Sequence, residues 1–416
     1  MDRWQKPIHH PLGDIQTKRT AWLESMNLLF ILCDNPFRAS CGMGSSVKEI
    51  IEGLANTDQT IRIQVLDLRW NDGHQTITDQ IEVFSCGYRD VLGQNFIVQT
   101  LMNAPIQIIY GIKNLKRPDV IHLQDWSSIP VGNALASYWG GNIKSVYTTQ
   151  LSYTLLLEDL AKESIPAPPV DQSIVAEIER LERESIQSSD MAIFLNRSDQ
   201  ARLDGPHDSQ VIPHGIHLEE VASIPYEDKK LPGDHPVKFL YFGRIDTMKN
   251  VGRLLDVRLP SGVDLIVMGG EAGSNPELYQ RLENLARERD NLHRIPFTSG
   301  DDKFHIIRAA DAVIFPSIHE PFGLVGLEAL ACGTPLIASF AGGMNDYLDD
   351  GCAIRIDGLG AKAIENAIHR LMTLSDSAKE AMVRNGLDVC RRFSWKDPVE
   401  RHHRLYRDLT HGSVPE

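Results

Sequence analysis

The stretch SIHEPFGLVGLEALACG (317–333) carries two carboxylates in a setting that suits a hydroxylated ligand. Glu328 stands inside its apolar run. On a helix its neighbours three and four residues away are Leu324, Val325, Ala331 and Cys332. A buried carboxylate without a partner costs several kcal/mol or takes up a proton, so something must hydrogen-bond to it. Pro321 suits the first turn of a helix and Gly333 its end. Phe322, Gly323 and Leu324 would then open a helix whose free N–H groups form an anion site. Gly323 has no side chain to keep a phosphate away. Glu320 and Glu328 are separated by about 80° around a helix axis and by two turns. That is wrong for an acid/base pair acting on one bond, but right for gripping two parts of an extended ligand. Carboxylates accept from ribose hydroxyls in dinucleotide folds. A glycosyl nucleotide, with hydroxyls at both ends and phosphates between, fits the pattern. The alternatives are a local backbone or arginine partner for Glu328, and a plain strand–helix connection that needs no ligand.

Further candidates sit at other strand ends. In KFLYFGRIDTMKN (238–250) an apolar run ends at Gly243, and Arg244 and Lys249 follow. Two cations there suit a diphosphate leaving group, each charge-assisted contact contributing about 1.5–3 kcal/mol. A solvated loop is the plainer reading. The run MNLLFILC leads into NPFRASCGMGSSVKEI, where Gly42 and Gly44 precede a helix expected to begin near Ser45 or Ser46. Val47 holds the third position of the dinucleotide fingerprint, so a nicotinamide site is weakly supported. A glycine lip approaching a ligand fits better. VIHLQDW ends in His122, Asp125 and Trp126, and VYTTQ ends in Gln150. Asp125 and Gln150 are candidates for the acceptor side, whereas a lone strand histidine is more often structural. His214 and His217 in VIPHGIHLEE give too weak a signal for a metal.

These residues need a scaffold that puts strand ends together. With 416 residues the chain is too long for one ordinary core, and two domains are expected. Short apolar runs alternate with longer amphipathic segments: 26–33, 61–68, 119–125, 143–149 and 191–196, then VKFLYFGR, VDLIVMGG, NLHRIPF, DAVIFPS and TPLIASF. Runs apolar on both faces indicate buried parallel strands covered by helices. The expectation is two tandem doubly wound α/β domains, 1–218 and 237–393, joined by the polar linker 219–236. FSWKDPVERHHRLYRDL then forms a terminal amphipathic helix. The charge-dense segment 171–187 reads as a helix with one solvated face carrying i,i+4 pairs.

Composition excludes some classes. Forty-two Lys and Arg against 56 Asp and Glu give a net charge of −14, which repels nucleic acid and anionic lipid as a whole. The six cysteines include no C-x-x-C pair, so a zinc site is not expected. Cys33 and Cys332 lie in apolar runs and suit free thiols in a reducing compartment. With no apolar leader and no stretch long enough to span a bilayer, a cytoplasmic protein is expected.

HEPFGLVGLEALACGTPLIAS, the FGR-x4-K segment, VIPHGIHLE and the GMGSS loop together resemble the GT-B retaining glycosyltransferases. The likeness is to the large family-four group and, more distantly, to bacterial glycogen and sucrose synthases, and it covers about Met26 to Tyr406. It implies two tandem Rossmann-like domains facing across a cleft, with a nucleoside-diphosphate sugar, a UDP-sugar among the candidates, held mainly by the second. By this resemblance Arg244 and Lys249 are the diphosphate pair and Glu320 the acid at the donor sugar. Phe322, Gly323 and Leu324 match the phosphate-contacting turn, and Glu328 is the ribose acid. Gly42 and Gly44 match the loop approaching the donor phosphates. Catalysis would fall to Glu320, Arg244 and Lys249 with no cofactor and no metal, cations and helix termini neutralising the leaving diphosphate. The terminal segment resembles the helix that crosses back to the first domain. The partners implied are the sugar nucleotide and a sugar, lipid-linked or small-molecule acceptor.

The resemblance departs at three places. Gln150 stands where many relatives have a histidine that helps place the reacting groups. GGMNDYL replaces the usual G-G-x-P-E, and Gln124 replaces a second histidine of the glycogen-synthase branch. Other readings of the same plan are a sugar phosphorylase, a nucleotide-sugar epimerase, and a binding protein that has lost activity.

Overall fold

The computed structural model describes residues 25–39, 42–69, 72–87, 96–166, 171–270 and 275–411. The N-terminal stretch MDRWQKPIHHPLGD and Cys41 lie outside the described residues, as do parts of the loops 69–90 and 151–170. The described strands are β1 (Met26–Leu32), β2 (Ile61–Asp67), β3 (Gly73–Thr76), β4 (Ile81–Ser85), β5 (Val120–Gln124), β6 (Lys144–Thr149), β7 (Met191–Phe194) and β8 (Gln210–Val211). They continue with β9 (Val237–Phe242), β10 (Val263–Gly269), β11 (Leu292–Pro296), β12 (Ala312–Phe315), β13 (Leu336–Ala338) and β14 (Ile354–Arg355). One sheet runs β3-β4-β2-β1-β5-β6-β7-β8 and the other β11-β10-β9-β12-β13-β14. The chain divides into two compact units, Met1–Val146 with His402–Glu416, and Tyr147–Arg401. Among the described residues no helix is long and apolar enough to cross a membrane.

The parallel strands are the continuous apolar runs of the sequence, because both their faces are covered. In the first unit β1 pairs with β2 from Met26 opposite Ile61 to Leu32 opposite Asp67. The helix Gly42–Thr57 buries Val47, Ile50, Ile51 and Leu54, one face at helical spacing. It begins at Gly42, a turn ahead of the capping serines that the sequence suggests. The C-terminal helix Lys396–His411 reaches the same unit through its last turns. Tyr406 Oη lies 2.6 Å from His122 Nδ1. His403 Nε2 lies 3.0 Å from Asp58 Oδ2. Burial, with His402 close by, holds the His122 imidazole well below its ordinary pKa, so it is neutral and structural.

In the second unit β9 pairs parallel with β10 and β12. Phe239, Tyr241, Phe242, Val267, Ile314 and Leu327 centre its core. The segment 219–236 is not irregular throughout: it begins inside the helix Leu218–Ser223 and is irregular only after Ser223. Its end is pinned to the sheet by the buried carboxylate of Asp264. His235 donates its backbone N–H to that carboxylate at 3.0 Å, and Lys238 Nζ lies 2.5 Å away. Gly233 has φ +96, and a Cβ there would stand 2.1 Å from Asp264 Oδ2, so glycine is required.

The charge-dense segment forms the helix Gln172–Ser188, with Arg180 paired to Glu177 and Glu184 on its exposed side. It is not solvated all round. Val175, Ile178 and Ile186 are buried, and Glu182 with them. Glu182 accepts from Ser152 Oγ at 2.7 Å and faces Tyr147 Oη and Thr154 Oγ1, each at 3.4 Å.

Candidate active site

Two loops at the ends of β9 and β12 build the site. β9 ends at Phe242, and Gly243 turns the chain out of the sheet with φ +144, a conformation that favours glycine. Tyr241, fully buried, donates its hydroxyl to the carbonyl of Arg244 at 2.5 Å. Burial first, then the carboxylates Asp246 and Glu320, push this hydroxyl well above its ordinary pKa and keep it a donor. Arg244 Nε lies 2.9 Å from Asp246 Oδ2, and Asp246 Oδ1 accepts the N–H of Lys249 at 2.9 Å. One carboxylate thus sets both cations. Arg244 remains 43% exposed, while Lys249 is 12% exposed and 5.4 Å from the centre of the Phe315 ring.

The second loop follows Phe315. Ile318 N–H donates to Met248 O at 2.8 Å, tying the loops together. Lys249 Nζ then forms an ion pair with Glu320 Oε2. Glu320 is held from behind as well, its carbonyl accepting from Gly343 N–H at 2.8 Å. Asn196 Nδ2 donates to Pro321 O at 2.7 Å. The Gly342–Gly343 pair allows this approach. A Cβ on Gly342 would lie 2.2 Å from Glu320 O, and one on Gly343 2.3 Å from Pro321 O.

The helix runs Leu324–Ala331, later than Pro321 suggests, with Gly323 as its N-cap at φ +93. Tyr347 Oη donates to Gly323 O at 2.6 Å. A Cβ on Gly326 would stand 2.3 Å from the Tyr347 Oη. Phe322 is turned inward among His214, Tyr347 and Phe393, with ring centroids 5.2, 5.5 and 6.1 Å apart. Its side chain belongs to the core, so only its backbone is placed to meet a ligand. Glu328 has a protein partner: Lys303 Nζ lies 2.6 Å from Oε1. The pair is not sealed, with Glu328 17% and Lys303 19% exposed.

The structure therefore brings Arg244, Lys249, Glu320 and the Gly323–Leu324 turn into one locality, with Glu328 further along the helix. Tyr347 marks the connection, since both Glu320 and Glu328 contribute to raising its hydroxyl pKa beyond what burial does. Gln150 is buried and follows β6 in this unit, two residues before Ser152 caps the helix Tyr153–Lys162. In the other unit Asp125 follows directly on β5 at φ +74 and ψ 162, its Oδ1 accepting Trp126 N–H at 2.8 Å. Gly42 is exposed at the head of its helix. Gly44 donates its N–H to Asp34 Oδ2 at 3.1 Å, and a Cβ there would stand 2.3 Å from that oxygen. Packing against Asp34 already requires a glycine at 44.

Sequence reasoning missed Asp246, His319, Asn196, Lys303 and Tyr347. For Asp246 a signal existed, its position three residues before Lys249. His319 stands directly before Glu320 in the stretch 317–333, but its partner is far away, and Asn196, Lys303 and Tyr347 come from other parts of the chain. Asp346, which stands where the resemblance expects the glutamate of G-G-x-P-E, accepts the N–H of Arg197 at 3.0 Å and so has a structural use.

The profile of glycosyl transferases group 1 matches residues 225–388. A D-inositol 3-phosphate glycosyltransferase of Actinosynnema mirum is 30% identical over 302 residues, covering 68% of this chain and 70% of the relative. Sucrose-phosphate synthase from Thermosynechococcus elongatus matches with a TM-score of 0.76 at 21% identity, over 93% of this chain and 100% of that one. An Anabaena protein solved in complex with UDP and glucose matches with a TM-score of 0.67 at 15% identity, over 91% and 99%. These structural likenesses give the fold, which is the GT-B arrangement of two Rossmann-like domains. Identity at the level of the first relative, sustained over most of both sequences, makes the chain an enzyme of the family it matches: it belongs to the group 1 glycosyltransferases.

Proposed function

We propose that this enzyme transfers a hexosyl group, with retention of configuration, from a nucleoside-diphosphate sugar to a hydroxyl of a phosphorylated polyol or sugar. The observation that carries the donor half is the Lys249–Glu320 ion pair beside the Gly323-capped helix, with the Arg244 guanidinium open to solvent. The acceptor half is supported by the activity named for the Actinosynnema mirum relative.

Arg244, Lys249 and the leading N–H groups of the helix Leu324–Ala331 would receive the diphosphate. Positive charge fixed in advance stabilises the leaving group as the glycosidic bond breaks. Lys249 occupies Oε2 of Glu320, and a carboxylate has about four acceptor positions. Glu320 therefore keeps capacity for hydroxyls of the donor sugar. Lys303 occupies Oε1 of Glu328 and leaves the same capacity toward ribose. Among the described residues we assign no side chain the role of nucleophile, so the departing phosphate oxygen would take the proton from the incoming hydroxyl on the same face of the sugar. Asp125 and Gln150 are assigned to the acceptor side.

The test is calorimetric titration with UDP, GDP and ADP and with UDP-glucose, GDP-mannose and ADP-glucose. At least one nucleoside diphosphate is expected to bind, and at 100 times its Kd to add about 2.7 kcal/mol to stability. Silence across the whole panel overturns the donor reading. With myo-inositol phosphate, fructose 6-phosphate and glucose 6-phosphate as acceptors, NMR of the product reads the anomeric configuration, and inversion would sink the mechanism.

A further inference from the structure

We propose that His319 and Asp159 are positioning residues for the Lys249–Glu320 pair, and that the helix Tyr153–Lys162 fixes both halves of that pair from one side. The proposal rests on the donor-site reading above.

His319 precedes Glu320 and is fully buried. Its Nδ1 lies 2.9 Å from Asp159 Oδ2. Asp159 is a strong acceptor. Burial works against its charge, but hydrogen bonds from His319, Arg202 and Lys162 outweigh that and hold its carboxyl well below the ordinary range. Asp159 is therefore ionised, and His319 presents Nδ1–H to it. Arg202 approaches Asp159 with Nη1 and Nη2 at 3.0 and 2.7 Å, fixing the acceptor in turn.

The same helix reaches the other loop. Glu163, its C-cap, accepts from Arg253 Nη1 at 3.1 Å through its side chain and from Nη2 at 3.0 Å through its carbonyl. Arg253 lies one turn after Lys249, in the helix Val251–Leu254. Asp159 thus restrains the residue before Glu320, and Glu163 the helix after Lys249. Gln150 stands three residues before this helix begins, so the segment on the acceptor side and the donor pair share one rigid support. A shift of about 1 Å at such a pair is enough to lose a hundredfold in rate. A buried histidine holding a loop only for stability would have no need of a carboxylate locked by two further cations.

The variants are His319→Ala, His319→Asn and Asp159→Asn. Asparagine keeps an N–H donor near the place of Nδ1. Hydrogen–deuterium exchange on the ligand-free protein is the first readout. His319→Ala should speed exchange at least tenfold in the peptide covering 316–324 while β1 and β2 exchange as in the wild type, and His319→Asn should restore most of the protection. Unchanged exchange in 316–324 overturns the proposal, as does a rise spread over both units, which would mark a general loss of stability.

The second readout is the ratio of Kd for the nucleoside diphosphate to Kd for its sugar ester. His319→Ala should leave the former within twofold and weaken the latter about tenfold, with the Asn variant between. Equal weakening of both, unrescued by asparagine, overturns the positioning role. Glu320→Gln separates the two readings. If it leaves the sugar ester as tight as in the wild type while exchange responds as expected, the donor assignment of Glu320 fails and the clamp stands.

Discussion

Glu328, the acid in the apolar face of the helix Leu324–Ala331, is paired with Lys303 from the helix Asp301–Arg308, Nζ to Oε1 at 2.6 Å. The pair answers what holds a carboxylate there, and both side chains keep an edge to solvent. A purely structural pair and a ribose site make different predictions. If Glu328 takes ribose hydroxyls, Glu328→Gln should weaken nucleoside diphosphates about 10- to 100-fold, the range of a charge-assisted hydrogen bond. The same substitution should leave a 2′,3′-dideoxynucleoside diphosphate unaffected relative to wild type. Titration of both nucleotides into both proteins settles it, and equal losses would assign Glu328 to structure alone.

If Lys249 and Glu320 divide the donor between them as proposed, their variants should divide likewise. Lys249→Met is expected to weaken the bare nucleoside diphosphate and its sugar ester alike, because it removes charge from the diphosphate. Glu320→Gln should spare the nucleoside diphosphate and weaken the sugar ester about tenfold. Each also strips the other of its partner, and breaking a buried pair costs about 3–5 kcal/mol. Thermal unfolding therefore accompanies the titrations, and the double variant should be more stable than either single one. Identical binding profiles for the two single variants would refute the division.

These residues were legible in the sequence because strands buried on both faces must be continuous apolar runs, and functional groups gather at their ends. That logic put Arg244, Lys249, Glu320 and Gly323 beyond strand ends, where the structure brings them together, and it found most of the parallel strands. It failed where the deciding partner is distant or the pattern weak. Asp159 is 160 positions from His319, and no periodicity joins them. β3, GHQT, is an exposed antiparallel edge strand with no apolar residue to announce it. Glu182 sits among i,i+4 charge pairs that do face water, and only the fold turns it toward Ser152. Gly44 read as a lip for a ligand, yet its contact with Asp34 is enough to require glycine.

Asp125 adopts φ +74 with ψ 162, a region that belongs to glycine and costs other residues about 1–3 kcal/mol. Strain of this kind at the end of β5 suits a side chain kept for function. Asp125→Gly removes the strain and also the bond to Trp126 N–H, whereas Asp125→Ala loses the bond and keeps the strain. The glycine variant should therefore be the more stable of the two by about 1 kcal/mol or more in urea unfolding. Both should lose acceptor turnover while binding the donor normally. Wild-type turnover in Asp125→Gly would remove Asp125 from the acceptor side.

Glu182 makes stability depend on pH near neutrality. Burial is the main cause, with Asp199 adding to it, and hydrogen bonds from Ser152, Thr154 and Tyr147 only partly oppose them, so the pKa rises from 4.5 to about 7. The folded state thus binds a proton more tightly than the unfolded one. Its contribution is complete below about pH 4.5 and is lost as pH rises through about 7, amounting to about 3 kcal/mol at full titration. Glu182→Gln keeps the shape and removes the titration. Urea midpoints for the wild type should fall between pH 5.5 and 8.5 by more than those of Glu182→Gln, which should be the more stable protein at pH 8.5. Parallel pH profiles for the two would mean that Glu182 stays ionised in the fold, with its charge met by the three hydroxyls around it.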